Sequence, residues 1–409
     1  MQRQLKYGRE GVVELDFPSD TKVASGPLNA DPISDVAAAV TAALCEPLGY
    51  PQLRECVVPG DRVAIALDDC IPHATAVLSG VLHELSQAGV DLDNCCVVCS
   101  AGYERRIEAL SKAMPDWAEP VEFTLHDPAN TNQLSYLAAS EDGRPIYFNR
   151  NIGDADFVVP IASIRPENAH DCFGVHSGLF PSFADLESQQ RFFAREVDIS
   201  PKRRQACQKD ADEAAWLLGI QFTVQIIPGS GSSILHILAG QYDEVYRHGR
   251  TLSDAAWSFA PDEPAELVLA AIEGGADQQS WSHLGRALET ACRLVSENGK
   301  IVLCTDLASD PGPALKMLSS GVSELDTMLN ELVMTPSADS PQAAVVAVAR
   351  ERARIFLLSQ LGSEVVEDLG IAFVASPDEI NNLLRGHKSC LLLPNAHQVA
   401  VADSISTSG

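Results

Sequence analysis

Hydrophobic and polar positions along this chain follow two rhythms: short unbroken apolar runs, and longer stretches in which apolar residues recur three or four apart. The run Asp61–Leu67 stands behind a Pro-Gly turn and predicts a buried parallel strand. Val77, Leu78, Val81, Leu82 and Leu85 then mark one face of a helix that Gly89 ends. Cys95–Cys99 predicts the next strand, and a loop containing Gly102 leads into another helical stretch. Val121–Leu125 and Asp156–Ile161 read as further strands. Before them, the first sixty residues are turn-rich and hold one helix, roughly from Ile33 to Leu44. Residues 195–213, with Lys202, Arg203 and Arg204, read as a solvated loop or helix start. The strands Gln221–Ile227 and Ser233–Leu238 flank PGSGSS, which lacks the Lys-Ser/Thr ending of a phosphate-binding loop and predicts a hairpin turn. A helix from about Gln241 to Phe259 follows.

Pro261-Asp262-Glu263-Pro264 punctuates the pattern like a domain boundary. Beyond it come strand Glu266–Ile272, the Gly274-Gly275 turn, helix Trp281–Glu297 and strand Lys300–Cys304. Strands Ile371–Ala375 and Ser389–Leu393 follow, with a helical region between them and a tail after Pro394 expected to fray. The alternation predicts an α/β fold of two domains, residues 1–260 and 261–409, with mainly parallel sheets flanked by helices. Ligands of such sheets sit beyond the carboxyl ends of the strands, so the inter-domain cleft is the expected site. The loops that would line it are Asp68–His73, Ser100–Arg105, Pro166–Pro181 and Glu273–Ser282.

Charge narrows the function classes. The 409 residues carry 29 Lys and Arg against 56 Asp and Glu, a formal charge of −27. Such a surface repels phosphate backbones and anionic lipid, which argues against nucleic-acid and membrane-surface partners. A small anionic substrate would need a locally built site. Hydrophobic residues at 46% and charged ones at 21% are ordinary for a globular chain. No apolar run is long enough to cross a membrane, and the opening MQRQLKYGREG has no signal-like core. Eleven scattered Cys fit reduced thiols in a cytoplasmic protein. CCVVC, despite its CxxC spacing, reads as a buried strand rather than half a zinc site.

Four segments, taken in order, resemble the lactate racemase family, whose members use a nickel-pincer nucleotide. AIALDDCIPHA stands at that family's strand and D-x-T-R-P segment, and CSAGYERR at its A-T-G-T-H-R segment. IASIRPENAHDCFGVHSGLFPSFAD stands at the region ending S-G-G-x-K-x-x-L-P-G. ELVLAAIEGGAD with GRALETACRLVSENGKIVLC resembles the strand, Gly-Gly turn and K-A-L helix of its second domain. The departures bear on chemistry. Asp68 and Pro72 are kept, but Cys70 and Ile71 replace Thr and Arg. Glu104, followed by Arg105, stands at the family's first catalytic His, and Glu167 at the second. Ser177 falls on the Lys that carries the cofactor, Phe193 near the distal nickel-ligating His, and Arg286 at the K-A-L lysine.

The resemblance implies a racemase or epimerase of a small 2-hydroxy acid or sugar acid, working by hydride and proton transfer. A nickel-pincer nucleotide would then be bound non-covalently, because Ser177 cannot form the link that Lys makes. Glu104 and Glu167 would transfer protons if burial or a neighbouring charge raised their pKa; otherwise they are solvated loop carboxylates. His170 could assist catalysis and His176 could ligate metal, or both could simply bond loop carbonyls. Asp68, His73, Arg105, Ser177, Gly274, Gly275 and Arg286 are the candidate cofactor contacts, with His73 at a helix N-terminus able to meet a phosphate. Arg165 adds a cation to the same loops, and His283 could face the cleft beside Arg286. His126 reads as a loop-fixing residue, His83 as structural, and Trp281 as either a stacking platform or core. The alternative, supported by the missing Lys and nickel His, is a homologue that binds a ligand without nickel or without catalysis.

Overall fold

A computed structural model describes residues 2–27, 31–139, 143–166, 174–197, 201–320 and 324–402, with backbone alone for 201–204 and 320. Two six-stranded sheets organise it. The first has the spatial order Ile234–Gln241, Phe222–Pro228, Phe157–Ser163, Val63–Leu67, Cys95–Cys99, Glu122–Leu125. Its pairings are parallel except for the hairpin of Phe222–Pro228 with Ile234–Gln241. The second has the order Ala372–Phe373, Arg354–Leu358, Val295–Cys304, Ala265–Ala271, Ser389–Leu393, Lys22–Ser25, and is parallel throughout. The expected α/β architecture of mainly parallel, helix-flanked sheets is what the chain forms.

Strand Val63–Leu67 shows why both faces are covered: all five of its residues are buried. Val63, Ile65 and Leu67 meet Val77, Leu78, Val81, Leu82 and Leu85 from one face of helix Ala74–Gln87. Ala64 and Ala66 turn the other way, and their small side chains leave room for Phe148, Phe180 and Phe183. The second sheet divides its strands likewise: Val268 and Ala270 face one core, Leu267, Leu269 and Ala271 the other.

The chain's first segment belongs to this second sheet. Hairpin strands Gln2–Tyr7 and Gly11–Asp16 bring Leu5, Val13 and Leu15 onto Leu267 and Leu269, and Lys22–Ser25 pairs parallel with Ser389–Leu393. Sheet membership therefore cuts the chain differently from a single division at residue 260. Period-two alternation around the Gly8–Gly11 turn drives this hairpin, in a segment expected to be turn-rich. The tail also differs from expectation. Ala396–Gln398 form a buried turn and Ala400–Val401 pair with Ser258–Phe259, so order extends through 402. Residues 201–217 are a helix, so of the two expectations for this charged stretch, a solvated loop or a helix start, the helix is the one formed. Among the described residues no helix is long and apolar enough to cross a membrane.

Candidate functional site

Val63–Leu67, Cys95–Cys99 and Phe157–Ser163 end at one level, with Leu67 opposite both Cys99 and Ile161. The backbone leaving these carboxyl ends carries Asp68, Asp69 and Cys70, then Ser100 and Gly102, then Ile164 and Arg165, into one cavity of about 240 Å³. The second half of the chain closes it with Ser282, His283 and Arg286, together with Pro341, Gln342 and Gln398. Helix Trp281–Leu294 presents the first three from its opening turns, where the Ser280 hydroxyl oxygen accepts from the His283 amide at 3.2 Å.

The Arg165 guanidinium donates to Asp68 Oδ2 at 2.7 Å, with side-chain exposures of 13% and 2%. Burial pushes the Asp68 carboxyl up and outweighs the downward pull of Arg165. Gly178 presses on the pair: a Cβ there would lie 2.7 Å from Asp68 Oδ2. Asp69 accepts from Arg106 at 2.9 Å, and that guanidinium also sits over the Tyr103 ring. Cys70, at φ +57°, offers its carbonyl to Gln278 Nε2 at 3.4 Å. The Gln278 carbonyl in turn accepts from His283 Nδ1 at 2.8 Å, which places the proton of a neutral ring on Nδ1. Burial, then Arg286, holds His283 down at about 3, so it is a neutral imidazole at the cavity wall. The His397 ring lies 4.5 Å from it, with both nitrogens buried and unpartnered. Arg286 is buried and donates to Ser282 Oγ at 3.3 Å.

Ser100 Oγ, Ser163 Oγ and Gln342 Oε1 line this same cavity, buried and without hydrogen-bond partners. A buried polar atom left unpaired costs about 1–3 kcal/mol. Three on one cavity wall leave that much hydrogen-bonding capacity unspent within the protein.

Of the sequence candidates, Asp68, Ser177 and Arg286 meet here. Glu104 and Arg105 do not: the turn Ala101–Tyr103 buries Tyr103 and leaves both exposed, outside the cavity wall, while Arg106 turns inward to Asp69. His73 occupies the N-cap position of helix Ala74–Gln87 but is exposed, makes no capping bond and does not reach the cavity. Gly274 and Gly275 line a different depression, beside Gly231, Ser232 and the tip of the first hairpin. Gly274 needs its positive φ of 108° there, where a Cβ would meet Gln278 at 2.6 Å. His176 points away from Ser177 into yet another cavity. Glu167 and His170 lie outside the described residues. Phe193 lines the cavity, and Trp281 donates to the Ser309 carbonyl at 3.0 Å as part of the core packing. His126 fixes a loop, donating through Nε2 to the Ala184 carbonyl at 2.9 Å while Nδ1 accepts from Asn149.

Ser163, Gln342 and His397 escaped the sequence reading. Ser163 carries a signal, since it is the first polar residue closing an apolar parallel strand; Gln342 and His397 lie on helical turns whose sequence offers none.

A tethered nickel-pincer nucleotide requires a linking amine and a set of metal ligands. Ser177 has no amine to link, and its hydroxyl donates to the Gly174 carbonyl at 2.8 Å. Among the described residues no group of three or more His, Cys, Asp or Glu is placed to hold a metal ion. The side chains described do not fit that tethered group.

Residues 7–193 match the family model of the lactate racemase N-terminal domain. A lactate racemase from Thermoanaerobacterium thermosaccharolyticum is 22% identical over 291 residues, which cover 67% of this chain and 66% of that relative, just under two thirds of its length. The lactate racemase apoprotein structure from the same organism superposes with a TM-score of 0.81 at 16% identity, covering 98% of this chain and all of that one. A crystal structure of a Thermotoga maritima protein gives 0.68 at 15% identity over 92% of this chain and 99% of its own. Residues 7–193, a little under half of the chain, thus resemble the lactate racemase N-terminal domain, and the whole chain shares the fold of the lactate racemase apoprotein.

Proposed function

We infer that the cavity binds a small 2-hydroxy acid or sugar acid, without a tethered nickel cofactor. The observation that carries this reading is the set of unpartnered Ser100 Oγ, Ser163 Oγ and Gln342 Oε1 on the wall that also holds Arg286. Hydroxyl and amide groups suit the several hydroxyls of such a ligand, and a guanidinium suits its carboxylate. Arg286, buried on this wall, supplies the local cation that a carboxylate needs within a chain of charge −27.

A second reading is a racemase or epimerase that keeps the nickel-pincer nucleotide non-covalently. The N-terminal match to the lactate racemase model and the resemblance of the Arg286 segment to the K-A-L helix favour it; Glu104, exposed outside the cavity, cannot supply its proton transfer from that place. Titration calorimetry with gluconate and with each lactate enantiomer tests the binding reading, with Arg286→Met as control. Saturable binding of at least one acid that Arg286→Met weakens supports it, and no binding of any of them overturns it. Metal analysis and intact mass of protein produced with the cofactor-synthesis enzymes separate the second reading: nickel and nucleotide in the purified protein establish it, and their absence removes it.

A further inference from the structure

A second cavity, of about 420 Å³, lies between the helices Pro201–Leu217 and Tyr242–Trp257. We propose that it is a binding site for an organic ammonium ion carrying a small apolar or aromatic body. His176 lines this cavity at 3% exposure, and its buried Nδ1 has no hydrogen-bond partner. Its ring lies 4.9 Å from that of Tyr242, another residue of the cavity wall. Asp212 stands on the same wall beside Asp243, and no described Lys or Arg lines the cavity. The charge of Asp212 therefore has no cationic partner within the cavity; burial, then Asp243, pushes its carboxyl up to about 6. Trp216, 76% exposed, overhangs the mouth with the ring type that attracts a cation most strongly.

Each alternative occupant fails on one of these features. An anion would meet two carboxylates. A bare metal ion lacks a donor group of the size that coordination requires among the described residues. A neutral apolar molecule would leave both Asp212 and His176 Nδ1 unpaired. An ammonium ion gives its N–H donors to Asp212 and to the neutral His176 ring, while its body covers Trp216. This site shares no lining residue with the first cavity: Ser177 lines that one and the adjacent His176 lines this one.

Titration calorimetry on the full chain tests it with phenethylamine hydrochloride, 2-phenylethanol and phenylacetate. Phenethylamine is expected to bind saturably, with the neutral alcohol weaker by on the order of tenfold, the size of a charge-assisted hydrogen bond. Asp212→Asn should remove that difference while leaving the alcohol's affinity unchanged, and it relieves a charged group rather than creating one. Trp216→Ala, at an exposed position, should weaken both probes. The proposal fails if phenethylamine does not bind, if the alcohol binds as tightly, or if either variant binds the amine as the wild type does.

Discussion

Replacing Arg165 by Met keeps most of the apolar stem and removes the guanidinium from Asp68 Oδ2, leaving a carboxylate at 2% exposure. Breaking a buried pair in this way costs about 3–5 kcal/mol, because the remaining charge has lost its compensation. Protonation sets a ceiling on that cost. Neutralising a carboxyl at pH 7 requires about 4 kcal/mol, from 1.36 kcal/mol per unit over the roughly three units above its ordinary pKa. The two figures agree, so Arg165→Met is expected to lose about 3–4 kcal/mol at neutral pH, read as a lower urea midpoint. Asp68→Asn in the same background should restore most of it, since amide and thioether bury without charge. The pH dependence has a definite sign. Burial raises the folded-state pKa of Asp68, so its contribution favours folding below the unfolded value and is lost as pH rises through the folded one. The deficit of Arg165→Met should therefore shrink on acidification and widen toward neutrality. A loss under 1 kcal/mol, or a double variant no more stable than Arg165→Met, refutes the reasoning.

Burial depresses His126 and His176, the latter to about 4, and His283 to about 3. Between pH 6.5 and these values the unfolded chain takes up protons that the folded chain refuses, so stability falls as pH drops; His283→Asn should flatten the slope of urea midpoint against pH by about one proton, roughly 1.4 kcal/mol per unit. Gly240 sits at φ +136° with a built Cβ 2.2 Å from the Leu48 carbonyl oxygen, so Gly240→Ala should cost on the order of 2 kcal/mol or more in urea unfolding, and a cost near zero would mean the bridge to Leu48 yields freely. Gly102→Ala should act on binding rather than stability. Its Cβ would lie 2.1 Å from the Asp69 carboxyl carbon and force Asp69 off Arg106, a part-exposed pair worth less than about 1 kcal/mol. Weakened gluconate binding with an unchanged urea midpoint is the expected pattern.

Legibility tracked how sharply local chemistry specified each element. Val63–Leu67 and Cys95–Cys99 are apolar on both faces and are bounded by turn residues, so period and punctuation agreed. Arg354–Leu358 was missed for the opposite reason. The Ala- and Val-rich helix Ser340–Arg352 runs into it through Ala353 alone, with no Gly or Pro to mark the change of period. The first hairpin packs on, and strand Lys22–Ser25 pairs with, residues more than two hundred positions away, a relation that no window of sequence contains. Asp68, Arg165 and Arg286 were legible as site residues because each stands at a strand end or early in a helix facing the carboxyl edge.

Glu104 shows where motif register stops being geometry. Its segment resembles the one that carries a family histidine, yet Tyr103, beside it, claims the buried direction and stacks with Arg106, which claims Asp69. Adjacent side chains on a one-turn 3₁₀ segment point about 120° apart, so burying one commits the next to solvent. The same logic separates Ser177 from His176, which one backbone step sends into different cavities. Transferring function from an aligned column therefore requires the buried neighbour to be kept as well as the residue itself. A Tyr103→Ala variant tests that dependence directly: freeing the buried direction should release Arg106 from its ring contact and weaken gluconate binding by more than Glu104→Gln does. Equal effects from the two variants would return Glu104 to the site.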